Sequence, residues 1–415
     1  MRAFFAGLLS LILVGVAVAG ALWFEYQRFL ATPIEVVARS GVDDGTVSEF
    51  EPDSETDLVA GAQSARVPGP QLTSEDASAD QFGSKGRTEP APAPEADPGG
   101  GLDESPDQLI FEIRRGARLR DLAARLANDG VINDPYFFIA LAYQERLQNK
   151  IKAGEYALVN GMRPLDLLTM FASGRSIQYP VTLIEGRTFH DAVDSLADSE
   201  VLTLELIGLS DAELMQRIGI EDEHPEGWLF PDTYLVARGS TDVELLQRAH
   251  ARMKQVLTEE WEGRAEGLPI STPYEALILA SIIEKETGIA EERPDIAGVF
   301  VRRLQGDMRL QTDPTVIYGM GDDYDGNIRR EDLRRETPYN TYVIDGLPPT
   351  PIALPGREAI HAALHPAAGD ALYFVARGDG SHHFSATLKE HNCAVRRYQL
   401  NGRCNMLDDS FEATP

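Results

Sequence analysis

The sequence predicts an α+β fold that follows an N-terminal transmembrane helix and a disordered acidic tether, and three observations predict it. From Ala3 to Phe24 the chain carries no charge, reading AFFAGLLSLILVGVAVAGALWF. Between Gly41 and Asp107, 16 acidic residues stand against Arg66, Lys85 and Arg87, a net −13. Beyond Leu109, short strand-like runs are scattered among amphipathic helices, with no regular βαβ alternation and no internal repeat.

The whole chain of 415 residues carries a net −28. Self-repulsion on that scale excludes binding of nucleic acid through its phosphates and docking on anionic lipid headgroups. Its two cysteines, Cys393 and Cys404, exclude a disulfide framework and a Cys-rich zinc module. Outside the cytoplasm they would either close one short loop as a disulfide or stay as two unpaired thiols.

The N-terminal run, residues 3–24, would span about 33 Å as a helix, enough for a hydrocarbon core of about 30 Å. Trp23 and Phe24 sit where an aromatic belt would place them. A cleaved signal ending at Ala17-Val18-Ala19 competes, but the apolar run continues past that point. Both readings export the remainder of the chain. Arg2 and the terminal amine, in a short cytoplasmic end of residues 1–2, favour the N-terminus inside. The tether, residues 41–107, contains stretches such as PAPAPEADPGGG that cannot bury enough apolar surface to offset the entropy of ordering. Charge repulsion should keep it extended and give the folded part reach from the bilayer.

Order resumes near Leu109. LIFEIRRG reads as a strand, and ARLRDLAARLANDG as a helix with Leu119, Leu122, Ala123 and Leu126 on one face and Gly130 as its stop. Asp134 and Pro135 are the N-cap and first residue of a second helix, and IKAGEYAL is a returning strand. This strand–helix–helix–strand order over residues 108–178 resembles a LysM-type glycan-binding module; a plain docking subdomain fits it equally. A larger α+β unit, residues 179–400, begins with strand-like VTLIEG and continues with helices near Ala192–Leu196, Ser210–Ile218, Thr241–Glu262, Pro273–Thr287 and Pro294–Gln305. ALYFVARG is a strand, LKEHNCAVRRYQL a last helix, and residues 401–415 a tail.

Seven stretches in one order carry a resemblance: LIEGRTF (Leu183–Phe189), EGWLFPDTY (Glu226–Tyr234), LASIIEKET (Leu279–Thr287), LQTDPTVIYG (Leu310–Gly319), TPYNTY (Thr337–Tyr342), GLPPTPI (Gly346–Ile352) and HHFSATLKEHN (His382–Asn392). Together they are similar to the endolytic murein transglycosylase family, also called YceG-like. The resemblance implies a bacterial inner-membrane protein with a periplasmic catalytic domain and a LysM-like unit before it. Its substrate would be peptidoglycan glycan strands, its cofactors none, and its neighbours cell-wall synthases or division proteins. The acidic tether looks like an insertion relative to the family. Arg302 stands where the family tends to have Asn, and Asp307 where it has Gly, which puts only local substrate contacts in doubt.

Breaking a glycosidic bond requires protonating a poor leaving oxygen while positive charge builds on the ring. A lytic transglycosylase manages with one carboxyl group, because the C6 hydroxyl of the muramic sugar replaces water and closes a 1,6-anhydro ring. A Glu that holds its proton near neutrality needs its reference pKa of about 4.3 raised, usually by burial. Glu284 has Leu277, Ala280 and Ser281 on its helix face, and Glu286 has Leu279, Ile282 and Ile283 at the same offsets. Periodicity does not separate the two. The resemblance implies Glu284, the first Glu of Ile-Glu-Lys-Glu-Thr, as the single acid/base in an oily pocket, with Glu286 a structural or substrate-side partner.

Gln311 and Asp313, placed in a loop before Pro314, suit hydrogen bonds to sugar; so do Tyr339, Asn340, Tyr342, His382 and Asn392, with turn capping or core packing as the alternative for each. His361-x3-His365 has helical metal-ligand spacing, but no acidic companion stands at a recognisable spacing and Pro366 ends the helix, so no metal is expected. The absence of a Gly-rich phosphate loop, a G-x-S-x-G elbow and a Cys nucleophile setting agrees with no cofactor. The rival reading is a non-catalytic peptidoglycan-binding membrane protein that scaffolds cell-wall synthases.

Overall fold

The structure is a computed structural model that describes residues 2–34, 108–220 and 224–400, without the side chains of residues 2–12. The tether at 41–107 and the tail at 401–415, with Cys404, lie outside the described residues. The first helix, α1 (Arg2–Ala31), runs through the whole apolar stretch. Among the described residues, no helix is long and apolar enough to cross a membrane. Part of that stretch, residues 3–12, falls where side chains are not described. From Leu13 to Phe24, the side chains of Leu13, Val14, Val16, Val18, Leu22, Trp23 and Phe24 are all more than half exposed.

A small hydrophobic cluster gathers β1 (Gln108–Ile113), α2 (Leu119–Asn128), α3 (Pro135–Gln144), β2 (Gly154–Val159) and α4 (Pro164–Ser173), with β1 paired to β2. Here the strand–helix–helix–strand order expected from the sequence is observed. Asp134 caps α3, accepting the N–H groups of Tyr136 at 2.7 Å and Phe137 at 3.1 Å. Phe138, Phe171 and Tyr156 are fully buried at its centre.

The end of α1 belongs to this cluster as well. Phe29 and Ile34 are buried in it, Tyr26 and Phe29 rest on Phe137 with ring centroids 5.6 and 5.7 Å away, and Tyr26 donates to Gln144 Oε1 at 2.9 Å. Backbone bonds tie Ile34 N to Met162 O at 2.7 Å and Gly161 N to Ile34 O at 3.1 Å. The reach expected of the acidic tract is therefore corrected. The folded part docks directly on the end of α1, so the length of the tract does not set its distance from that helix.

The second cluster is larger and centres on one helix. After β3 (Gln178–Thr182) come α5 (Phe189–Ser195), β4 (Leu202–Thr203), α6 (Asp211–Ile218), β5 (Thr233–Ala237), β6 (Ser240–Thr241), α7 (Asp242–Glu262) and α8 (Pro273–Glu286). They are followed by α9 (Arg293–Gln305), α10 (Asp313–Met320), α11 (Arg357–Leu364), β7 (Tyr373–Ala376), β8 (His382–Ser385) and α12 (Leu388–Tyr398). Pairing is antiparallel for β3–β5 and β7–β8 and parallel for β4–β6. Small two-stranded ribbons between helices make this α+β, as the scattered strands predicted.

Helix α8 forms because Thr272 and Glu275 close a capping box, Pro273 starts the first turn, and everything from Ala276 to Ile283 is apolar or small. All eight of those residues are buried, packed by α7, α9 and α11. A helix sealed on all sides for two turns can meet solvent only at its ends. Its C-terminal end carries Glu284 and Glu286.

Candidate active site

Glu284 leaves the last turn of α8 with its side chain 6% exposed. Arg293, at the start of α9 and 9% exposed, donates from Nη2 to Glu284 Oε1 at 3.4 Å, and from Nη1 to Glu358 on α11. Gly356, the N-cap of α11, donates its N–H to Glu284 Oε2 at 3.0 Å. On the other side, Lys285 Nζ donates to Gly186 O at 3.0 Å, which brings the LIEGRTF stretch against the helix end. Glu185, from that stretch, lies on Gly356 so closely that a Cβ there would be 2.1 Å from its Oε1. Burial, and then the charge of Glu284, push the Glu185 carboxyl above the ordinary range, with Arg293 opposing.

The oily pocket expected around Glu284 is thus corrected. Leu277, Ala280 and Ser281 are buried beneath it as the periodicity required, but Ser281 Oγ is committed to Ile352 N at 3.0 Å. The carboxyl itself meets a guanidinium, a backbone N–H and a second carboxyl. Replacing Gly356 by Ala should leave the fold intact, since its φ of −75° suits any residue, while driving the Glu185 carboxyl away. A loss of about tenfold in turnover with an unchanged melting temperature is the expected result, because small misplacements in a site cost rate rather than stability.

Glu286 points into a different set of partners. Thr312 Oγ1 hydrogen-bonds its Oε1, and Thr312 N is held by Thr341 Oγ1 at 3.0 Å. Burial pushes the Glu286 carboxyl up to about 7; the Thr312 hydrogen bond opposes that, and the charge of Asp313 adds to it. Asp313 accepts from Tyr342 Oη at 2.6 Å. Asp313 is the first residue of α10, which corrects its placement in a loop: Pro314 opens a helix there rather than a turn. Gln311 precedes it at φ +51° and accepts from Arg303 Nη1 at 3.4 Å.

The remaining expected substrate residues divide. His382 is claimed by Glu292, which takes its backbone N–H at 2.8 Å and pairs with its Nδ1 at 2.7 Å. Tyr339 rests edge-on against Tyr318 and pairs with Thr350 through its hydroxyl at 2.9 Å. Asn392 stands exposed on α12. Cys393 lies on the same helix.

Asn340 is corrected outright. It is 1% exposed, donates from Nδ2 to Asp332 O at 3.1 Å and Arg335 O at 2.7 Å, and accepts from Tyr342 N at 3.0 Å. Its amide is consumed inside the loop that carries Tyr342 and leaves nothing for a sugar. Asn340→Ala should cost about 2–4 kcal/mol by stranding three backbone groups, measured as a lower urea midpoint.

Sequence reasoning passed over two further carboxyls that lie in the motif stretches. One is Glu185. The other is Glu226, 1% exposed, which accepts from Phe189 N at 2.9 Å and Tyr318 Oη at 3.1 Å and is pushed up to about 7 by burial. The two departures from the family pattern also find physical places. Arg302 staples the segment before β7, donating to Ala371 O at 2.7 Å and Ala367 O at 3.0 Å. Asp307 has φ +51°, the left-handed region where Gly is the easier residue.

A core helix delivers Glu284 and Glu286 at its C-terminal end, and the chain that surrounds it matches a known family, the YceG-like family. The profile of that family matches residues 111–397, and the chain belongs to it. A Bacillus subtilis (strain 168) protein named endolytic murein transglycosylase is 32% identical over 315 residues, covering 71% of this chain and 86% of that protein. A Streptococcus pneumoniae (serotype 2, strain D39) protein of the same name is 28% identical over 327 residues, covering 71% of this chain and 58% of its own length. A solved YceG-like protein from Listeria monocytogenes aligns with 69% of this chain and 98% of its own at 28% identity and a TM-score of 0.42.

Proposed function

We propose that this protein is an endolytic peptidoglycan lytic transglycosylase that cleaves the MurNAc–GlcNAc bond within glycan strands, with Glu284 as its acid/base. The observation that carries the reading is the setting of Glu284: a nearly sealed carboxyl at the mouth of the core helix, oriented on one oxygen by Arg293 and on the other by the Gly356 N–H. The names of the relatives supply the substrate class.

In the proposed reaction Glu284 gives its proton to the glycosidic oxygen as the C1–O bond breaks, releasing the GlcNAc-side sugar. The C6 hydroxyl of MurNAc then forms the new bond to C1 and returns its proton to the carboxylate. No water is consumed and the enzyme is regenerated. Glu185, a second carboxyl touching the same glycine, would share the proton between turnovers. Glu286, with Thr312, Asp313 and Tyr342, would shape the sugar-side wall. Gln311, Tyr339 and His382 would support that wall, and exposed Asn392 would meet the strand farther out.

The same proposal places the protein at the inner membrane. The uncharged run to Phe24 and its exposed apolar side chains support an anchor, with the N-terminus cytoplasmic and the folded part periplasmic. The small cluster of residues 108–178 would be a LysM-like unit holding glycan, Cys393 and Cys404 would form a disulfide, and cell-wall synthases or division proteins would be neighbours. Digestion of intact glycan strands followed by mass spectrometry tests the reaction. Internal cuts leaving 1,6-anhydro-MurNAc ends are expected, and reducing MurNAc ends would make the protein a hydrolase instead.

A further inference from the structure

The two histidines of His361-x3-His365 have no acidic companion nearby in sequence, but the fold supplies one from 101 residues before His361. His361 lies on α11 and His365 caps its C-terminal end, with the imidazoles stacked 4.1 Å apart at 18°. Glu260, on the last turn of α7, faces them with a side chain only 12% exposed, and its Oε2 lies 2.8 Å from His361 Nδ1. One ligand atom from each of Glu260, His361 and His365 falls within 4.8 Å of the others.

We propose that Glu260, His361 and His365 form a binding site for a divalent transition cation of the zinc type. Two imidazole nitrogens and one carboxylate oxygen are a borderline donor set that suits Zn2+ and disfavours Mg2+ or Ca2+, which take oxygen ligands. Metal–ligand bonds of about 2.0–2.1 Å put tetrahedral ligand atoms about 3.3 Å apart. The Glu260–His361 pair opens by about half an ångström to reach that, the widest separation closes by up to about 1.5 Å, and the two rings turn out of their stack so that each aims an in-plane lone pair at the ion. The cation takes the place of the hydrogen bond between His361 Nδ1 and Glu260 Oε2, and a water completes the fourth position.

Two features favour occupation over a bare hydrogen-bonded trio. Glu260 is already oriented: its other oxygen, Oε1, takes Arg357 Nη1 at 2.6 Å, the kind of outer partner that fixes a ligand carboxylate. His365 sets Nε2 against Gly263 O at 2.9 Å and Nδ1 against His361 O at 3.2 Å; with the shorter contact kept as an Nε2–H donor, Nδ1 gives up the longer one to become the ligand atom. The site also sits where a clamp has a consequence. It joins the end of α7 to α11, and α11 starts at Gly356 and Glu358, whose contacts run to Glu284 directly and through Arg293.

Untagged full-length chain in detergent, stripped with chelator and titrated with ZnCl2, tests the proposal. One equivalent should bind from a micromolar zinc buffer and raise the melting temperature. Co2+ should give the visible bands of a tetrahedral site, and Mg2+ should do nothing. His361→Ala and His365→Gln should each weaken Zn2+ binding by at least about tenfold, with Glu260→Gln intermediate. No zinc uptake by the wild type, octahedral Co2+ bands, or binding of equal strength in the double variant His361→Ala/His365→Gln would overturn it. Because the readout is binding, the result is independent of whether the protein cleaves glycan.

Discussion

Glu284→Gln should lower the release of 1,6-anhydro ends from isolated sacculi by about a thousandfold, within the range that a general acid/base supplies. The amide keeps the acceptor that takes the Gly356 N–H or Arg293, so the melting temperature should move little. Glu286→Gln is the informative companion. Its carboxyl lies two residues away on the same helix end, pushed up to about 7 by burial and bonded to Thr312. If Glu286 only shapes the wall, its amide retains the Thr312 contact and activity falls less than about tenfold. Measured side by side, equal digestion by wild type and Glu284→Gln would remove Glu284 from the chemistry. A collapse confined to Glu286→Gln would transfer the role to the carboxyl that burial already holds near neutral pH.

That the two carboxyls need an experiment reflects what a sequence period contains. Offsets of three, four and seven residues describe the face of the helix beneath a side chain, and the burial of Leu277, Ala280, Leu279 and Ile282 bears that out. They are silent about what other elements bring. Arg293 lies nine residues on and Gly356 seventy-two, and neither has a signal beyond falling near a matched stretch. The main helices were legible for local reasons: capping boxes at Thr241 and Thr272 and an apolar period between them. Helix α10 was missed because Asp313-Pro314 reads equally as a turn and as a helix start; burial of Thr315 and Val316 decided it. Asn340 was misjudged for a related reason, since a polar residue between two tyrosines looks like a sugar contact until the loop folds over it.

The second large effect concerns stability and runs against the usual acid sensitivity of proteins. Glu226 is pushed up to about 7 by burial, against the hydrogen bonds from the Phe189 N–H and the Tyr318 hydroxyl, while in the unfolded chain it titrates near 4.3. From about pH 4.5 to 7 the native state therefore holds a proton that the unfolded state has released, so stability falls as pH rises across that window and levels off above it. At about 1.4 kcal/mol for each unit, the cost approaches about 4 kcal/mol by pH 8, with Glu286 acting in the same direction. Carboxyls held low by hydrogen bonds or arginine, such as Glu244 beside Arg115, work the other way. They lose their contribution only as pH drops below about 4.5. His224, His250 and His391, held below the usual imidazole range by desolvation, add stability as pH rises toward about 6.5, so the Glu226 contribution is read as the difference in melting temperature between wild type and an amide variant. Glu226→Gln keeps an oxygen that accepts the Phe189 N–H and presents an NH2 that donates to the Tyr318 hydroxyl oxygen, as the protonated carboxyl does, so it should match wild type at pH 4.5 and exceed it at pH 8. Thermal melts of both proteins across that range decide the point: an amide variant that tracks wild type at every pH would mean that Glu226 reaches solvent and ionises freely.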